Sequence, residues 1–91
     1  MTGIVAVIVR IMPESTDSNL LKIKDESKKV LENQGAMNLS FEEKPMAFGL
    51  NSIKIKFAWP EEKDTSLIED SLSDIDEVST VEIEDYRRAF G

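Results

Sequence analysis

The chain contains no cysteine and no histidine. Disulfides and thiol nucleophiles are therefore excluded, as are zinc sites built on Cys or His and a Ser-His-Asp triad. A cysteine-free chain fits a reducing compartment, and a cytoplasmic protein is the expectation. Glycine is scarce: Gly3, Gly35, Gly49 and Gly91 are far apart, so there is no glycine-rich phosphate loop. Basic residues are outnumbered, eleven against eighteen acidic ones, for a formal net charge of −7. Such a field repels phosphate backbones, argues against direct nucleic-acid binding and steers the chain toward a basic partner. Long apolar runs are lacking too. "GIVAVIVRIM" is interrupted by Arg10 and is too short for a membrane helix, and no basic segment precedes it as in a signal peptide.

What is there reads as one domain over residues 1–91. A chain of this size buries roughly 60–70% of its unfolded surface. Gly3 to Met12 is a β-branched run that predicts a central strand covered on both sides and ended by Pro13. Leu20, Ile23, Ser27, Val30 and Leu31 fall on one helical face. Asp17, Ser18 or Asn19 can cap that helix, and Gly35 is placed to stop it. Met37, Leu39 and Phe41 alternate with polar residues, as do Ile53, Ile55 and Phe57, so two further strands form a hairpin. Ser66 and Glu69 predict a capping box for a second helix with Ile68, Leu72 and Ile75 on its core face. Trp59 is expected as a lid on the helix layer. Val81 and Ile83 mark a fourth, more polar strand suited to an edge.

The order β-α-β-β-α-β predicts an α+β, ferredoxin-like sandwich. Its four-stranded antiparallel sheet has the order 4-1-3-2, with both helices on one face. Ile23, Val30, Ile55 and Leu72 are expected to share one buried cluster.

The clustered carboxylates Glu42–Glu43, Glu61–Glu62 and Glu82–Glu84–Asp85 sit among lysines at polar positions and read as solvated faces. No D-x-D-x-D-G loop is present, and no metal site is expected. The first strand has no aromatics for base stacking and no anion cradle after it. No enzyme chemistry and no cofactor are expected. Two surface features remain. "KPMAFGL" joins two strands, yet carries Phe48 where a polar turn belongs; the aromatic either folds back on the sheet or anchors a partner. "YRRAFG" sets Arg87 and Arg88 at the end of an acidic chain, either as a solvated pair or as a cationic finger for an anionic site.

"KPMAFGLNSIKIKF", with "AVIVRIMP", "LLKIKDESKKVLENQG" and the acidic closing strand, resembles the translation elongation factor 1-beta family in its small archaeal form. The similarity covers essentially the whole chain. It implies the ferredoxin-like fold and guanine-nucleotide exchange on the GTPase elongation factor 1-alpha, with no covalent chemistry of its own. It implies that Phe48, flanked by Gly49 and Leu50, enters a pocket on that GTPase. Eukaryotic members carry a lysine near the C-terminus that reaches the magnesium and phosphate site; the nearest match here is Arg88, with Arg87 beside it. A monomer is expected. The competing readings are a small regulatory ligand-binding domain of the same fold, working as an oligomer, and a small RNA-binding module.

Overall fold

The structure is a computed structural model that describes residues 3–88. The elements are β1 (Ile4–Pro13), α1 (Leu20–Asn33), β2 (Met37–Pro45), β3 (Asn51–Pro60), α2 (Ser66–Ser73) and β4 (Val78–Arg88), with a short 3₁₀ turn at Ala47–Gly49. The strands form one antiparallel sheet in the order β2-β3-β1-β4. This is the ferredoxin-like α+β sandwich, with β1 inside and β4 at an edge.

The helix limits follow from local chemistry. Asn19 is the N-cap of α1, its side chain accepting from the Lys22 N–H at 3.1 Å. At the other end Gly35 takes φ 105°, a conformation that glycine adopts at no steric cost. Its N–H donates to Glu32 C=O, and the Ala36 N–H reaches back to Leu31 C=O. Ala36 and Leu31 are both buried in the core. This double closure is a Schellman motif with its hydrophobic contact. The Lys63 ammonium also donates to the Gln34 carbonyl, at the negative end of the helix dipole.

Val5, Val7, Val9 and Ile11 of β1 meet Trp59, Phe57, Ile55 and Ile53 of β3 in register. All eight are buried, together with Ile23, Leu31, Ile68 and Leu72 from the helices. Ile75 is buried as well. Val30 is a correction: it packs against the cluster but is only partly buried, at its rim.

Four further expectations need correcting. The first strand is covered on one face, not both. Ala6 is exposed and Ile8, Arg10 and Met12 are partly so, because both helices lie on the other side of the sheet. A β-branched run reads alike in either setting. Met37 is 44% exposed. Asn38 takes φ 57° at a register shift, and beyond it Met37 pairs with Ala58 on the open face. The capping box is not formed: Ser66 is the first helical residue, and its N–H is taken by Asp64 Oδ1 at 2.9 Å. In a capping box that N–H would go to the Glu69 carboxylate; the Asp64 carboxylate, two residues upstream, takes it instead. That bond holds the Asp64 carboxyl below its ordinary pKa. Trp59 is no lid on the helix layer but part of the core, fully buried at the next inward position of β3. Its indole N–H donates to Lys63 C=O at 3.2 Å.

Candidate functional site

The β2–β3 hairpin closes where Pro45 faces Asn51. Between them the Met46 N–H donates to Leu50 C=O at 2.6 Å, and the Leu50 N–H to Ala47 C=O at 3.3 Å. Phe48 lies at φ 62°, ψ 27°, and Gly49 at φ 76°. Glycine fits that left-handed region, whereas an L-residue there costs roughly 1–2 kcal/mol. The conformation aims the Phe48 ring off the sheet, where it is 95% exposed. It does not fold back over the core. Leu50 is half-buried and closes the hairpin beneath it. A bulky aromatic held in a strained conformation and almost wholly in water contributes nothing to the core, which is the signature of a residue presented outward.

The two arginines lie within β4 and are separated by it. Arg88 pairs with Val5 and Arg87 with Ala6 across β1. Successive side chains of a strand point to opposite faces. Arg87 therefore stands on the open face, where its Nε is 2.9 Å from Asp85. Arg88 stands on the helix side, and its guanidinium is hydrogen-bonded to the carboxylate of Glu61 in the β3–α2 connection. That bond and the adjacent negative charge hold Arg88 even more firmly protonated than usual. The Glu61 N–H donates to Gly3 C=O at 2.9 Å, and a Cβ on Gly3 would collide with the Glu61 carboxylate. Gly3 thus leaves the room in which Glu61 holds Arg88. Ala89, Phe90 and Gly91, the rest of the sequence-predicted finger, lie outside the described residues.

A β-bulge decides this placement. Val9 pairs with Ile83 but Ile8 pairs with Asp85, leaving Glu84 as the extra residue. Upstream of it Val81 and Ile83 face the helices; downstream the same side is taken by Tyr86 and Arg88.

Phe48, Gly49 and Leu50 are thus brought together; Arg87 and Arg88 share one end of β4 but stand on opposite faces of it, and the turn and the arginines lie far apart. Arg88 is level with Val5 and so with Trp59, whereas Phe48 precedes Asn51. From Asn51 to Trp59, at about 3.3 Å per residue, is about 26 Å along the strand. The described part of the molecule measures 44 × 21 × 19 Å, so the candidate residues mark its two ends.

Sequence reasoning missed Glu61, since nothing in "WPEEKDT" tells one solvated carboxylate from another. It also gave no role to Arg10, which interrupts an apolar run and has no anion cradle after it. Arg10 projects from the middle of the open face, 2.7 Å from Glu82 and 3.5 Å from Glu84.

The sequence profile of the EF-1 guanine nucleotide exchange domain matches residues 6–89. Elongation factor 1-beta of Ignicoccus hospitalis is 37% identical over 86 residues, covering 92% of this chain and 90% of that protein. Elongation factor 1-beta of Methanocaldococcus jannaschii is 40% identical over 75 residues, covering 81% of this chain and 84% of its own. The Methanothermobacter thermautotrophicus protein of the same name is 34% identical over 87 residues, with 94% and 97% covered.

Proposed function

The chain belongs to the EF-1 guanine nucleotide exchange domain family, and from that premise we propose how its two ends act. It is a guanine-nucleotide exchange factor for elongation factor 1-alpha, promoting GDP release and GTP entry. Phe48 docks in an apolar pocket of the GTPase. Gly49 and Leu50 hold the turn that presents it. Arg88, about 26 Å away along the sheet, reaches the magnesium and phosphate site, with Arg87 adding positive charge from the opposite face of the same strand.

Exchange then follows from reciprocal coupling. A factor that prefers the nucleotide-free GTPase weakens bound nucleotide by the same factor as nucleotide weakens it. A guanidinium in the phosphate site competes with magnesium for the same negative charge. No bond is made or broken, so the protein speeds dissociation without covalent chemistry of its own. It works as a single domain and as a monomer: both sheet edges carry charge, β2 through Glu42, Glu43 and Lys44, β4 through Glu82, Glu84 and Asp85. Its net charge of −7 suits a basic GTPase and not RNA. Among the described residues no helix is long and apolar enough to cross a membrane. On the family reading, the exchange cycle runs in the cytoplasm.

The observation that carries the reading is the left-handed, 95% exposed Phe48 at the hairpin tip. The test is release of labelled GDP from elongation factor 1-alpha of the same source, with and without the protein. Acceleration that requires Phe48 is the expected result. Unchanged release at saturating protein overturns it.

A further inference from the structure

We infer that the open face of the sheet, beside the Phe48 turn, holds a receptor for a carboxylate side chain of the GTPase; this rests on the docking role given to Phe48. A hollow there is lined by Arg10, Lys44, Met46, Ser52, Lys54 and Glu84. Its floor is an unfavourable arrangement. Across the sheet, Glu42, Lys54, Arg10 and Glu82 stand in one register row. The two cations occupy the middle, as direct partners on β3 and β1. Like charges in that relation destabilise a sheet.

The surrounding acids compensate this only in part. Glu82 bonds Arg10 closely at 2.7 Å, but Glu42 also lies 3.4 Å from Lys44. Glu84, extruded by the bulge, is 3.5 Å from Arg10 and 3.9 Å from Lys54, beyond a good hydrogen bond. The Arg10 Nε is closed off from solvent and has no partner among the described residues. Ser52, fully buried, donates to the Lys44 carbonyl at 3.3 Å and fixes the backbone on that side.

Lys44 and Met46 lead directly into Phe48, so a partner that seats the aromatic also covers the hollow. Covering strips water from three cations, which is costly unless a negative charge arrives with the partner. A carboxylate matches both guanidinium and ammonium donors. The net acidic charge attracts a basic protein, and this cationic hollow beside the Phe48 turn then sets its register.

The test is the affinity of Lys44→Met/Lys54→Met for nucleotide-free elongation factor 1-alpha, measured by calorimetry at low and high salt beside Phe48→Ala. These changes keep the apolar stems and leave Arg10 in place. The expected result is about a tenfold loss at low salt and a smaller loss at high salt. Lys54→Glu should bind more weakly still. Unchanged affinity in the double variant, with Phe48→Ala still impaired, overturns the receptor and leaves the exchange reading intact. Unchanged affinity in all variants overturns the Phe48 docking role and the receptor with it. If the wild type binds tRNA and the double variant loses that binding, the occupant is a phosphate and the carboxylate assignment fails.

Discussion

Phe48 and Arg88 stand at opposite ends of the sheet, the first ahead of Asn51 on β3, the second level with Trp59. Sites this far apart share no contacts, and mutations at such separations add within a few tenths of a kcal/mol. Phe48→Ala should weaken GTPase binding by about 2 kcal/mol or more, at least about 30-fold. Arg88→Ala should lower GDP release at saturating factor more than it lowers affinity. In the double variant the two losses should sum. Stopped-flow release and titration of the four proteins check this, and strong non-additivity would mean that the two ends do not act separately.

The turn also predicts an unusual stability result. Phe48 is strained by its positive φ and buries almost nothing. Phe48→Gly removes the strain and adds unfolded-state entropy, two effects of similar size and opposite sign. Its denaturant midpoint should equal or exceed that of the wild type while GTPase binding is lost. A marked drop in the midpoint would return Phe48 to the core.

Ile55 is fully buried, paired with Val9 on one side and Phe41 on the other. Ile55→Ala should cost roughly 2–5 kcal/mol in denaturant unfolding, the range for emptying a packed core site.

Asp64 gives a pH-dependent prediction. Its carboxyl is held below the ordinary value mainly by the hydrogen bond from the Ser66 N–H. A depressed carboxylate stabilises the fold fully above its unfolded value, near about 3.9. That contribution fades as pH falls through the lower folded value. Asp64→Ala should therefore be less stable than the wild type at pH 7, with the gap closing below about pH 4. A gap that persists unchanged in acid would show that the carboxylate is not the source.

How much of this was legible in the sequence depended on whether a residue leaves a periodic trace. Asn19 and Gly35 bound α1 because capping is local chemistry, and the inward residues of β1 and β3 announce themselves by alternation. Met37 and Tyr86 did not, since one left-handed residue at Asn38 and one extra residue at Glu84 switch strand faces without altering composition. The sequence also set Arg87 and Arg88 side by side, whereas ordinary strand alternation sends them to opposite faces. Phe48 stood out because an aromatic contradicted its turn. Glu61 could not, because its role exists only where the end of β4 and the start of β1 converge on it.

The bulge at Glu84 works as slack in the edge strand. The pairs on either side, Ile83 with Val9 and Asp85 with Ile8, are adjacent on β1, so the loop of chain between them can be drawn in without moving its neighbours. Losing one residue there would leave Val81 and Ile83 facing the helices and Arg88 facing Glu61, as now. The same deletion anywhere else between Glu84 and Arg88 would have to be absorbed by that slack or would turn the terminal arginine over. The edge strand thereby tolerates a change of length at one position, and the direction in which the chain delivers its last charge is kept.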